Sequence, residues 1–231
     1  MARFKRLEVL NEIVRTGLVP VFYQADFETA KNIVAACVAG GVKIVEFTNR
    51  GDNAYRIFSD LVLYFAETDP SVMLGVGSVV DPGTAALYVS SGANFVVGPV
   101  LNPEVARVCN RRKVAYSPGC ATPSEISEAE ELGVEIVKIF PGMTAGGPDL
   151  VKSVLAPMPW TSIMPTGGVD ATEASISAWF SAGVTAVGIG SKLITKESVA
   201  GGDFDSISRK TSQVILWIRQ AKEKNSGKGK R

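Results

Sequence analysis

A lysine stands inside a short β-branched run, Glu135-Ile136-Val137-Lys138-Ile139-Phe140-Pro141-Gly142. A buried ammonium is costly unless it is paired or neutralised. Burial lowers a lysine pKa, and the neutral amine is a nucleophile that condenses with carbonyls. A second apolar run, Lys43–Thr48, carries Glu46. Side chains alternate across a strand, so Ile44 and Glu46 share one face, as do Ile136, Lys138 and Phe140. If both faces turn inward, Glu46 and Lys138 meet. That pair is either catalytic or a buried structural salt bridge. The chain contains no histidine. Histidine triads, histidine metal ligands and imidazole acid–base chemistry are therefore excluded, and protons must move through Glu, Asp, Lys, Tyr, Cys or water.

Two glycine-rich segments add a second kind of chemistry. Pro165-Thr166-Gly167-Gly168 and Gly188-Ile189-Gly190-Ser191 each follow an apolar run. Glycine lets a ligand approach the backbone closely, and backbone N–H groups at such turns hold anions. Gly167, Gly168, Gly190 and Ser191 are the candidate phosphate-binding residues.

The elements that must position these groups repeat along the chain. Ala39-Gly40-Gly41-Val42, Ser91-Gly92-Ala93, Leu132-Gly133-Val134 and Ala182-Gly183-Val184 each close a helix-like segment and precede a β-branched run. Helix starts are marked by Asp26, by Thr122-Pro123-Ser124-Glu125, and by Asp170-Ala171-Thr172-Glu173 with Asp170 as cap. The strands expected are Val19–Tyr23, Lys43–Thr48, Val72–Val76, Phe95–Val97, Val114–Ser117, Ile136–Phe140, Ser162–Thr166 and Ala186–Ile189. Eight strand–helix units predict a (β/α)8 TIM barrel over residues 1–221, an open doubly wound sheet being the competitor. No GxGxxG follows the first strand, which favours the barrel. An extra N-terminal helix is expected to close the barrel bottom with Leu7, Leu10, Ile13 and Val14. Residues 222–231 read as a basic, disordered tail.

In a barrel, active sites lie at the C-terminal strand ends, and the loops after strands seven and eight are where phosphate binds. Glu46, Arg50, Ser78, Pro99, Lys138, Phe140 and Thr166 all fall at such ends. The bulk numbers set no competing role. A net charge of +1 over 231 residues gives no field for nucleic acid or membrane. Cys37, Cys109 and Cys120 form neither a disulfide framework nor a zinc pattern, which fits a reducing cytoplasm. Cys120 reads as a neutral packing thiol. No signal peptide, membrane span or metal site is expected.

Taken in order, Glu46-x-Thr48-x-Arg50, Gly75-x-Gly77-Ser78, Pro118-Gly119-x-x-Thr122-Pro123-Ser124-Glu125, Lys138-x-Phe140-Pro141 and Pro165-Thr166-Gly167-Gly168 resemble the 2-keto-3-deoxy-6-phosphogluconate (KDPG) / 2-keto-4-hydroxyglutarate (KHG) aldolases. The resemblance spans nearly the whole chain and implies a homotrimeric Schiff-base lyase on a (β/α)8 barrel, with no metal and no cofactor beyond a covalent lysine imine. It implies Lys138 as the imine lysine and Glu46 as the proton shuttle. It places Arg50, Ser78 and Thr166 around the carboxylate of a keto-acid substrate, Pro99 and Phe140 along the pocket, and Gly167, Gly168, Gly190 and Ser191 at the phosphate. The chain departs from the family at Asn49 and Ile139, where Leu and Phe are common, at Ser78, where Thr is frequent, and at Gly190, where adjacent glycines usually precede the serine. Asn49 reads as an added polar group near the site mouth. The competing functions are a phosphate-binding isomerase or epimerase, which leaves Lys138 without a purpose, and a non-catalytic sugar-acid-binding barrel.

Overall fold

A computed structural model describes residues 2–228, with side chains described as far as residue 225. It is an α/β fold of parallel strands in a curled sheet, with nine strands and ten helices among the described residues. The strands are β1 (Leu18–Phe22), β2 (Ile44–Thr48), β3 (Met73–Gly77), β4 (Phe95–Val97), β5 (Ala115–Ser117), β6 (Gly119–Cys120), β7 (Val137–Ile139), β8 (Ile163–Pro165) and β9 (Val187–Ile189). They form a six-stranded sheet, β5-β4-β3-β2-β1-β9, and a three-stranded sheet, β6-β7-β8. The expected fifth strand is β5, which stops before Pro118, a residue with no N–H to donate to a ladder; the short β6 beyond it is an additional strand, paired with β7. A parallel bridge pairs Thr166 with Gly188 next to β8 and β9.

The helices are α1 (Arg6–Thr16), α2 (Phe27–Ala39), α3 (Ala54–Thr68), α4 (Pro82–Ser90), α5 (Pro103–Arg112), α6 (Pro123–Glu131), α7 (Gly147–Leu155), α8 (Glu173–Ser181), α9 (Lys196–Ala200) and α10 (Phe204–Lys228). Local chemistry fixes their starts. Asp26 accepts from the Thr29 N–H at 2.8 Å, and Thr122 with Glu125 forms a capping box at α6. At α8 the cap is Thr172, not Asp170. Asp170 lies before the helix, where it pairs with Lys192 at 3.4 Å.

The core has two layers. One cluster fills the space between strands and helices. The other gathers Val19, Ile44, Met73, Phe95, Val97, Ala115, Ile136, Met164 and Ala186 with Val9, Leu10 and Ile13 of α1. The N-terminal helix thus seals one end of the strands, with Leu10 and Ile13 as expected and with Val9 in place of Leu7 and Val14. Val9, Leu10 and Ile13 are buried, whereas Leu7 and Val14 are exposed. Burying three aliphatic side chains contributes about 1.5–3 kcal/mol each. Helix α10 continues past Ala221 to Lys228, so the expected tail begins as helix. Its residues 229–231 lie outside the described residues. Among the described residues, no helix is long and apolar enough to cross a membrane.

Candidate active site

The strands' register sets the depth of each group. Glu46 on β2 is level with Val21 on β1 and Gly75 on β3. Lys138 on β7 is level with Gly119 on β6 and Met164 on β8. Both are buried, Glu46 at 1% exposure and Lys138 at 5%. The Lys138 Nζ lies 4.7 Å from the centre of the Phe140 ring. Burial pushes the Lys138 amine below the ordinary lysine value; nearby Glu46 opposes that, and Arg50 adds to it. Burial likewise raises the Glu46 carboxyl, against the pull of Lys138 and Arg50. The two groups therefore sense each other's charge. Among the described residues, however, no salt bridge joins them, and Glu46 Oε2 has no hydrogen-bond partner. A structural salt bridge is not what these residues form.

Glu46 fits where it does because residue 77 is glycine. A Cβ on Gly77 would lie 1.8 Å from Glu46 Oε1. The next residue, Ser78, has φ 62°, a left-handed conformation rarely held by residues other than glycine. Its Oγ accepts from Arg50 Nε at 3.4 Å. Thr166, two residues beyond the level of Lys138, is buried with an unpartnered Oγ1. Pro99 is half-buried, and its backbone lies against Gly119, the residue level with Lys138.

Arg50, Phe140, Thr166, Gly167, Gly168, Gly190 and Ser191 line one cavity of about 750 Å³. Glu46, Lys138, Ser78 and Pro99 are not among its wall residues. Gly167 and Gly168 have φ of 88° and 77°, open to glycine at little cost. Their turn is tied to the segment after β7, where Gly142 N–H donates to Thr166 O at 2.8 Å and Met143 N–H to Gly167 O at 3.0 Å.

Several features of the site are absent from the sequence reading. Tyr23 and Gln24 after β1, Lys192 before α9 and Lys196 at its start also line the cavity. The rule that found the other groups, a polar residue ending an apolar run, applies equally to Tyr23. Asn49 is not among the residues lining the cavity; its Oδ1 accepts from Tyr88 OH at 2.8 Å. Cys120 is buried, and burial pushes its thiol up to about 12, in keeping with a packing role.

Such a site can bring an uncharged amine to a carbonyl and offer a carboxylate for proton transfer. The comparisons agree with that chemistry. The family model for KDPG and KHG aldolase matches residues 9–210. A 2-dehydro-3-deoxy-phosphogluconate aldolase of Haemophilus influenzae is 28% identical over 92% of this chain and 97% of the relative. The KHG/KDPG aldolase of Escherichia coli is 28% identical over 89% of this chain and 94% of the relative. Among solved structures, KDPG aldolase from Legionella pneumophila, with pyruvate captured as a covalent carbinolamine, superposes with a TM-score of 0.80. Its identity is 26%, covering 88% of this chain and 96% of that one. The chain belongs to the KDPG and KHG aldolase family, and is thus a carbon–carbon lyase.

Proposed function

We propose that this protein is a Schiff-base aldolase that cleaves a 2-keto-3-deoxy-6-phospho sugar acid to pyruvate and glyceraldehyde 3-phosphate, and 4-hydroxy-2-oxoglutarate to pyruvate and glyoxylate. The observation that carries this reading is a buried lysine, depressed in pKa and without an ion pair, sharing its site with a buried carboxylate. The carbinolamine held by the Legionella relative supports the same chemistry here.

In this reading the neutral Lys138 amine adds to the C2 ketone, and loss of water leaves a protonated imine. Glu46, as carboxylate, takes the C4 hydroxyl proton. The C3–C4 bond breaks, its electrons pass into the imine, and the aldehyde leaves. Protonation of the enamine at C3 and hydrolysis then release pyruvate and restore the amine. The imine is the electron sink, so the reaction needs no metal or other cofactor. Arg50, Ser78 and Thr166 hold the substrate carboxylate, which fixes C2 against Lys138. Pro99 and Phe140 shape the pocket. Gly167, Gly168, Gly190 and Ser191 take the phosphate at the far end.

The fold in this reading is one (β/α)8 barrel over residues 1–221. Two features support closure: the β5 and β6 strands meet at Pro118, and the Thr166–Gly188 bridge joins β8 to β9. Copies assemble as a homotrimer. Val80, Leu87 and Val100, exposed at 53%, 44% and 51%, offer an apolar surface around α4 for that assembly. The cytoplasm is the compartment that suits three free, buried cysteines.

The test is to incubate the protein with each keto acid, with chelator present, and to quantify pyruvate and the two aldehydes. Equimolar pyruvate and aldehyde are expected. No cleavage of either substrate would contradict the assignment.

A further inference from the structure

Arg50 is exposed, and its guanidinium donates a long hydrogen bond to Ser78 Oγ at 3.4 Å. That contact alone does not hold a flexible side chain in one orientation. The backbone beneath it, by contrast, is fastened on every side. Thr48 Oγ1 donates to Phe22 O at 3.2 Å. Asn49 N–H donates to Gly77 O at 2.8 Å, and Arg50 N–H to Thr48 O at 2.9 Å. The Asn49 side chain reaches outward to Tyr88 of α4, which donates at 2.8 Å. On the other side of Arg50, Gly51 lies against the Tyr23 phenol so closely that a Cβ would stand 1.9 Å from its oxygen.

Both anchors stand on one aromatic chain. Tyr88 packs edge-on to Phe58 at 5.2 Å, Phe58 lies 6.1 Å from Phe47, and Phe47 lies 5.7 Å from Tyr23. Tyr88, Phe58 and Phe47 are all but fully buried. Burial raises the Tyr88 phenol to about 12, with Tyr23 adding to the rise. Tyr88 thus remains a donor to Asn49 throughout the neutral range.

We propose that Tyr23, Asn49 and Tyr88 are positioning residues that set where Arg50 stands, and so set the affinity of the site for the keto-acid carboxylate. Asn49 and Tyr88 stand outside the cavity wall and Tyr23 forms part of it; all three act on Arg50 through the Thr48–Gly51 backbone. Bidentate recognition of a carboxylate is demanding in angle, so a small shift of this backbone weakens it. Gly51 is glycine here because Tyr23 occupies the space a side chain would fill. Asn49 matches the Tyr88 hydroxyl, its Oδ1 accepting the bond that a residue without a side-chain acceptor would leave unmade.

The inference rests on the aldolase reading, so the test separates the two. The measurement is the pyruvate concentration that gives half-maximal borohydride trapping, in wild type, Tyr88→Phe, Gly51→Ala, Arg50→Ala and Tyr88→Phe/Arg50→Ala. Loss of one hydrogen bond corresponds to about tenfold in affinity. Tyr88→Phe is expected to raise the half-maximal concentration by about that factor, with the trapping rate at saturation nearly unchanged. Gly51→Ala, acting from the other side, is expected to do the same. In the Arg50→Ala background, Tyr88→Phe is expected to change nothing further. A merely structural role would give equal shifts in both backgrounds. Equal shifts, or no shift for both Tyr88→Phe and Gly51→Ala, would overturn the inference and leave the aldolase reading intact. No trapping by wild type would overturn both.

Discussion

The Lys138 ammonium position lies over the Phe140 ring, 4.7 Å from its centre. An aromatic face favours the cationic lysine by about 0.5–2 kcal/mol. Burial works the other way and prevails, so the amine titrates below its ordinary value of 10.5. The lysine is thus held near an aromatic ring with its pKa lowered, and it makes no ion pair with Glu46.

This sets a pH dependence for the first chemical step. Only the neutral amine adds to the ketone, so the rate of imine formation rises as Lys138 deprotonates. The rate is expected to level off at a pH below 10.5. Stopped-flow trapping with pyruvate across pH measures this. A rate still rising steeply above pH 10.5 would contradict the depressed pKa.

Glu46 should govern cleavage rather than imine formation. It must be ionised to accept the C4 proton, and its pKa is raised above the usual 4.5. Cleavage is therefore expected to fall as pH drops through a midpoint above 4.5. Glu46→Gln should lower kcat by about 10²–10⁴-fold while leaving the pyruvate imine trappable. Single-turnover kinetics separate the two steps.

Gly77 offers a way to move that carboxylate without altering it. A methyl group at this position would stand 1.8 Å from Glu46 Oε1. Displacements of about 1 Å at reacting groups cost about 10²-fold. Gly77→Ala is expected to lose about that much kcat with Lys138 still able to form an imine. Unchanged kcat would mean that the Glu46 position is not critical.

Thr166 should trade stability for function. Its buried Oγ1 is without a partner, and an unmet buried hydroxyl costs about 1–3 kcal/mol. Thr166→Val keeps the shape and removes the hydroxyl. It is expected to raise stability by about 1–2 kcal/mol and to raise the pyruvate KM about tenfold. Denaturant unfolding and steady-state kinetics on the same sample check both halves.

The sequence carried the parts of the candidate site that depend on strand alternation and strand ends. Lys138 and Glu46 were legible because period-two alternation puts each with known apolar neighbours on one face. What it did not carry were choices made by packing. At α1 the apolar residues lie on more than one face. The strand ends select Val9, Leu10 and Ile13 and leave Leu7 and Val14 outside. At α8 both Asp170 and Thr172 have capping chemistry, and the pairing of Asp170 with Lys192 goes with Thr172 as cap. The Asn49–Tyr88 hydrogen bond joins residues on different elements, and no local pattern announces it. The stop of the fifth strand before Pro118 was readable, since proline has no N–H to donate; the two-residue β6 beyond it is too short to leave a pattern.

The most direct test of the central claim is borohydride reduction in the presence of pyruvate, followed by intact mass and peptide mapping. A single reduced pyruvyl adduct on Lys138, absent in Lys138→Met with the fold retained, is the predicted result. No adduct on the folded protein, or an adduct on another lysine, would contradict the account.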